Sequence, residues 1–219
     1  KVGREIAVAA KSNPDPETNS KLADAIAKAK AVNMPNENIK RCIAKAAGEL
    51  SGDNYEELTY EGYGPAGSAV IIKALTDNKN RTVDYVRTAM RKHGGSLGNA
   101  GCVSFTFNTL GVIVVERTPD LTEDGVMEMA LDAGADDFIV EDDAFVIYTS
   151  VADFSAVRKE LEGKGLNFFE AQIQMIPQSK ITLEGDELAK FNRLIDALED
   201  LDDVQNVYHN VDLPEEEEE

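Results

Sequence analysis

"YEELTYEGYGPAGSAVIIKALT", residues 55–76, is where the chain changes period. Before it, small apolar residues recur at helical spacing. Within it, β-branched and aromatic residues gather on either side of a glycine-rich turn. "YEELTYEGYG" and "GSAVIIKALT" predict two strands, joined through "GYGPAG". A helix over 80–93 and a strand at "CVSFTF", residues 102–107, then complete a β-β-α-β unit.

Working outward, residues 109–178 predict β-α-β-β-α-β. "GVIVVE" is a strand and "LTEDGVMEMALDAGA" a helix. "DFIVED" and "AFVIYTS" form a hairpin, "ADFSAVRKELEGKG" a helix, and "FFEAQIQMI" a closing strand. That order is the ferredoxin-like plan. Residues 182–211 add one helix, with Leu188, Phe191, Leu194, Ile195 and Leu198 on one face, and the strand "VQNVY". An α-β pair alone cannot bury such a face. Joined to residues 53–108 it makes a sheet with two helices, so 109–178 reads as an insertion.

Upstream, residues 1–52 read as helical. "KLADAIAKAKAV" aligns Leu22, Ala25, Ile26 and Ala29, and "NMPNENIKRCIAKAAG" aligns Ile39, Cys42, Ile43 and Ala46. Pro35 suits a first turn, Asn33 or Asn36 a cap, and Gly48 a stop. "GREIAVAAK" looks like the end of a further helix. The expected fold is therefore α+β: a small N-terminal helical domain (1–52), a discontinuous α/β domain (53–108 with 179–213), an inserted ferredoxin-like α/β domain (109–178) and an acidic tail (214–219). The chain opens on Lys1 rather than Met, and preceding sequence is expected.

Charge is uneven. The chain has 22 Lys and Arg against 41 Asp and Glu, a net charge of −19. Residues 1–52 carry 9 basic and 6 acidic side chains and residues 53–108 carry 6 of each; residues 109–181 carry 5 and 15, and residues 182–219 carry 2 and 14. All the surplus acidity thus lies in the second half. Screening over roughly 8–10 Å lets a basic face work at a distance from it. Two basic groups stand out. Lys11, Lys21, Lys28, Lys30, Lys40, Arg41 and Lys45 lie on the short helices, and Lys79, Arg81, Arg87, Arg91 and Lys92 on the helix over 80–93. Each has a bland reading. Cations at a helix C-terminus are favoured by about 0.3–1 kcal/mol, and exposed helix faces are commonly solvated lysines. Lys79 and Arg81 fall instead at a helix N-terminus, where cations are disfavoured. There an anionic partner, or Asp77, would account for them. The "GGSLGNAGC" loop offers flexible backbone donors nearby.

Other chemistry finds little support. His93 and His209 are the only histidines and neither neighbours a cysteine at ligand spacing, so no metal site is expected. The two cysteines, Cys42 and Cys102, sit in apolar patterns and suit buried thiols in a reducing, cytosolic setting. "EGYGPAGSA" lacks both the phosphate-loop lysine and dinucleotide spacing. No cofactor, no catalytic constellation and no membrane span are expected, and the chain is read as a non-enzyme.

Several segments resemble one family: "NMPNENIKRCI", "YEGYGPAGSAVII", "LTDNKNRTVDYVR", "KHGGSLGNAGCVSFTF", "ALDAGADD", "MIPQSK" and "DLDDVQNVYHN". The resemblance is to the YebC/PmpR family and runs through essentially the whole chain. It implies three domains, a helical one and two α/β domains with one inserted in the other. It implies a nucleic-acid partner and no catalysis, since bacterial members are generally DNA-binding transcriptional regulators, while mitochondrial and some bacterial relatives act in translation. Tyr63, Gly64, Pro65, Asp77, Asn78, Asn80 and Arg81 occupy its signature positions. The leading expectation is a cytoplasmic DNA-binding regulator. The alternative is a ribosome-associated translation factor reading ribosomal RNA by shape and phosphate. A small-molecule site in an interdomain cleft and a plain protein-interaction module are the other classes.

Overall fold

The computed structural model of the chain describes residues 1–48 and 54–214. The expected tail of five glutamates, 215–219, lies outside the described residues. The fold is α+β: three N-terminal helices precede two four-stranded antiparallel sheets that carry four further helices. The residues group into two compact units, one of Gly52–Asn108 and Met175–Glu219 with Lys1, the other of Val2–Ser51 and Thr109–Gln174.

The first unit holds β1 (Glu56–Tyr63), β2 (Ala69–Thr76), α4 (Lys79–Lys92), β3 (Ser96–Leu97), α7 (Gly185–Glu199) and β8 (Val204–His209), in the strand order β3-β1-β2-β8. The expected addition of "VQNVY" to the sheet of 55–76 is present, as β8 pairing antiparallel with β2. β2 is apolar almost throughout because both its faces are covered. Val70 and Ile72 pack with Val86, Met90, Phe191, Leu194 and Leu198 of the helices, and Ala69 and Ile71 pack with Val103 and Phe107 on the other side. The Leu188–Leu198 stripe of α7 faces that helical core as its spacing predicts, with Leu188 partly buried.

One strand departs from expectation. "CVSFTF" is not a strand: residues 99–103 turn, Ser104–Thr106 form a 3₁₀ turn, and the next strand, β4 (Phe107–Glu116), begins at Phe107. The third strand of this sheet is the two-residue β3, paired with Gly62 and Tyr63 of β1.

The second unit contains α1 (Val2–Ser12), α2 (Ser20–Ala31) and α3 (Asn36–Ala47). "GREIAVAAK" is helical, as expected, within α1. It supplies Ile6 and Ala10 to the core that Leu22, Ala25, Ala29 and Ile39 share. Asn19 caps α2, its side chain accepting from the Leu22 N–H, which is worth about 1 kcal/mol. Pro35 stands at the cap of α3 without a side-chain bond, and Asn36 is the first helical residue, so neither asparagine caps it. β4 continues into the second sheet with α5 (Glu123–Ala133), β5 (Asp137–Val140), β6 (Ala144–Thr149), α6 (Phe154–Gly163) and β7 (Phe168–Pro177). The order β5-β6-β4-β7 is ferredoxin-like, with Ile113, Val115, Phe145 and Ile147 packed under Val126, Ala130, Val157 and Leu161.

Candidate nucleic-acid interface

In the first unit, the buried carboxylate of Glu61 organises one end of the sheet. Only 7% of Glu61 is exposed. Its oxygens accept from the backbone N–H groups of Gly101 at 2.5 Å, Val103 at 3.2 Å and Ser104 at 2.6 Å. Burial pushes the carboxyl up, but the hydrogen bonds from Gly101, Ser104 and Val103 together outweigh it and hold the group below its usual range. These bonds explain the missing strand, because donors turned inward to Glu61 cannot serve a ladder. Within "GGSLGNAGC", residues 94–102, the Gly101 N–H is committed to Glu61 and those of Gly95, Gly98 and Cys102 to backbone carbonyls, so these four are not the free donors expected there. Glycine is required around this carboxylate. A Cβ on Gly62 would collide with the Ser96 carbonyl, and one on Gly95 would lie 2.7 Å from the Tyr63 carbonyl.

The signature residues fall on two sides of this sheet. Tyr63 is 43% exposed and donates its hydroxyl to the Cys102 carbonyl at 3.3 Å. Gly64 and Pro65 are buried at the turn into β2. Asp77, Asn78, Asn80 and Arg81 open α4. Asn78 caps it, accepting from the Arg81 N–H at 3.1 Å. Arg81 donates from Nη2 to Asp77 at 2.8 Å, and from Nε and Nη2 to the buried Asp203 at 3.0–3.2 Å. Bonds to Asp77 and Asp203 push its pKa further up, so the guanidinium stays charged while its charge is answered inside the fold. Asn80 is exposed.

The remaining cations of α4 differ in their surroundings. Lys79 pairs with Glu56 at 3.1 Å, both well exposed, and Arg87 approaches Asp84 at 3.6 Å, pairs that are worth little. Arg91 and Lys92 end the helix exposed, with no ion pair among the described residues. His93 follows as the C-cap. In the second unit Lys11, Lys21, Lys30, Lys40, Arg41 and Lys45 are exposed, whereas Lys28 is half-buried against Glu5 at 2.9 Å.

Several polar side chains gave no signal in sequence. Glu61 occupies the outward position of an alternating strand, and Asp203 one place in an acidic run. Arg158 is only 4% exposed and joins α6 to α2 through Asp24 at 2.8 Å, with Glu162 at 2.7 Å and Ser155 also bonded to Asp24. It borders a groove of about 650 Å³ lined by Lys30, Val32, Leu166, Phe168, Phe169 and Gln172 among others.

Cysteine and histidine chemistry is muted. Cys42 and Cys102 are free thiols and half-buried, less enclosed than expected. Burial first and the Glu61 charge second push the Cys102 thiol up, away from thiolate. The His209 ring packs edge-on to Phe191 at 4.9 Å, and its Nδ1 accepts from the Val211 N–H at 3.1 Å. Burial, then Lys180, holds it below the usual imidazole value. Among the described residues no three His, Cys, Asp or Glu side chains gather to hold a metal, and no helix is long and apolar enough to cross a membrane.

Two consecutive segments of the chain match two family descriptions. Residues 1–49 match the TACO1/YebC protein N-terminal domain, and residues 55–211 the TACO1/YebC second and third domain. The chain belongs to the TACO1/YebC family. Among similar members, one from Acetivibrio thermocellus is 58% identical over 96% of this chain and 88% of its own length. It is named "Probable transcriptional regulatory protein". Another, from Hathewaya histolytica, carries the name "Probable transcriptional regulatory protein ORF2U" and is 55% identical over 98% of this chain and 88% of its own length. A crystal structure of a conserved hypothetical protein from Aquifex aeolicus superposes with a TM-score of 0.86 at 43% identity, over 98% of this chain and 89% of that one. The family resemblance read from "YEGYGP" and "DNKNRT" is thereby confirmed.

Proposed function

We propose that this chain is a cytoplasmic, nucleic-acid-binding regulator of gene expression, acting without catalysis, in which exposed cations of the helical segment and of α4 meet phosphates. The three domains are 1–52, 53–108 with 179–213, and 109–178, followed by an acidic tail. The observation that carries the reading is the set of exposed cations without ion pairs among the described residues: Lys21, Lys30, Lys40 and Arg41 on α2 and α3, and Arg91 and Lys92 on α4. Each can neutralise a phosphate and release its counterion. The names of relatives support DNA as the partner.

Ribosomal RNA is the second reading. α2 exposes Lys21 and Lys30 and carries no Asn, Gln or Arg to read base edges, while α3 exposes Lys40 and Lys45 beside Asn36 and Arg41; lysine suffices for phosphate and shape.

The test compares affinity for random duplex DNA with retention on ribosomes in a gradient, at low and moderate salt. Reversing Arg91 and Lys92, or Lys40 and Arg41, to Glu is expected to weaken binding. The salt slope on duplex DNA should flatten by roughly 0.9 for each phosphate no longer neutralised. Unchanged affinity and slope in both pairs would count against these cations as phosphate contacts.

A further inference from the structure

We propose that Phe105 and Tyr63 form a stacking platform for unpaired bases of single-stranded RNA. This rests on the nucleic-acid reading above and narrows it to a ligand. Phe105 has 73% of its surface exposed, more than any other large apolar side chain among the described residues. A lone exposed phenylalanine needs no explanation. Its setting is what differs.

The backbone beneath Phe105 is held from all sides. Val103 and Phe107, two residues before and after, are buried in the core beside β2, which leaves Phe105 facing out between two anchors. Glu61 grips the N–H groups of Val103 and Ser104. The Thr106 hydroxyl donates to the Val103 carbonyl at 2.6 Å. Gln178 closes the far side: its backbone N–H reaches the Thr106 carbonyl at 2.9 Å, and its side-chain amide the Phe105 carbonyl at 3.3 Å. An aromatic ring presented to water on so fixed a turn loses little freedom when something flat lies on it.

A second exposed ring belongs to the same surface. The Tyr63 hydroxyl bonds the Cys102 carbonyl, three residues before Phe105. Positive charge stands on the Tyr63 side. The end of α4, with exposed Arg91 and Lys92, leads into Gly94 and Gly95, which lie against Pro65 and the Tyr63 carbonyl. Two rings beside two such cations fit a ligand with π faces strung on a phosphate chain. A duplex covers its base faces and offers only the phosphates. RNA loops and single strands present both.

The test measures binding of a fluorescein-labelled, unstructured single-stranded RNA, of a single-stranded DNA of the same sequence and of a duplex DNA of equal length, for the full chain and for Phe105→Ala, Phe105→Tyr and Tyr63→Ala. Phe105→Ala is expected to lose about 5- to 100-fold in RNA affinity, as for one stacked base, with duplex affinity and melting temperature unchanged. Phe105→Tyr is expected to retain binding. Tyr63→Ala is expected to lose RNA affinity in the same direction. An unchanged RNA affinity in Phe105→Ala, or an equal loss on duplex DNA, would overturn the platform alone. Tighter binding of single-stranded DNA than of RNA would overturn RNA as its ligand. A full chain that binds neither nucleic acid would overturn the proposed function and the platform with it.

Discussion

Arg81 and Asp203, 122 residues apart in the chain, share three hydrogen bonds of 3.0–3.2 Å, and the Thr82 hydroxyl adds a fourth to the same carboxylate at 2.8 Å. This pairing ties "DNKNRT" to "DLDDVQ", so two of the segments that carry the family resemblance meet as one joint between α4 and the approach to β8. Removing Asp203 leaves the Thr82 hydroxyl with the Asn78 carbonyl alone, at 3.1 Å, and costs the guanidinium its buried partner while Asp77 remains.

Asp203→Ala is therefore expected to destabilise the fold by about 1–3 kcal/mol, seen as a fall of several degrees in melting temperature. Lys79→Glu, on the same helix but fully at the surface, is expected to leave the melting temperature within about 1 °C of the parent. Equal melting temperatures for Asp203→Ala and the parent would show that the joint contributes nothing.

Glu61 gives a pH signature. Its folded pKa lies below the unfolded value of about 4.3, so the unfolded chain takes up the proton first. The stability it contributes is present above that value and is lost as pH falls through the folded one. Glu61→Gln should remove this acid-limb contribution, lower stability by about 1–3 kcal/mol at neutral pH, and speed hydrogen exchange at Gly101, Val103 and Ser104. Exchange rates that do not move at these three amides would sink the assignment.

His209 acts in the neighbouring window. Its folded pKa is lowered, chiefly by burial, so the unfolded imidazole binds a proton more readily. Stability from this residue is complete above about pH 6.5 and declines as pH drops toward the folded value. His209→Phe is expected to flatten the stability profile between about pH 5 and 7, as read by urea midpoints. A slope that survives the substitution would place its origin elsewhere.

Asp24 and Arg158 test a buried ion pair. Asp24→Ala strands the Arg158 guanidinium with Glu162 alone and is expected to cost about 3 kcal/mol. The double change Asp24→Leu with Arg158→Met should recover most of that loss, because an apolar pair needs no compensation. Thermal melts of the two variants and the parent decide it; a double variant as unstable as the single one would mean the pair does more than balance charge.

Where the apolar pattern repeats, the sequence announced the structure. The α7 stripe, the continuous apolar run of β2 and the β-α-β-β-α-β order after residue 109 were legible because burial imposes a period on them. Residues 99–106 misled because "CVSFTF" has the composition of a strand, and only a carboxylate 40 residues upstream decides otherwise. Arg81 misled in part for the same reason. A cation at a helix N-terminus invites a ligand, and Asp203 is too distant in sequence to be seen as its partner. For the candidate interface, the exposure of Lys21, Lys40, Arg91 and Lys92 followed from helical spacing, whereas the outward ring of Phe105 did not. Its neighbours Val103 and Phe107 read as partners in a strand rather than as the anchors of a turn.

The cradle of amides around Glu61 also has a rival it never meets. Backbone N–H groups gathered in a glycine-rich loop would ordinarily be open to any phosphate in solution. Here a carboxylate is tethered among them, and a tethered group competes at an effective concentration in the millimolar range or above. Free phosphate, nucleotides and the backbone of a long polyanion are all shut out of that spot alike. That cradle is thus deaf to small anions, and whatever the surface selects there it must select through its side chains.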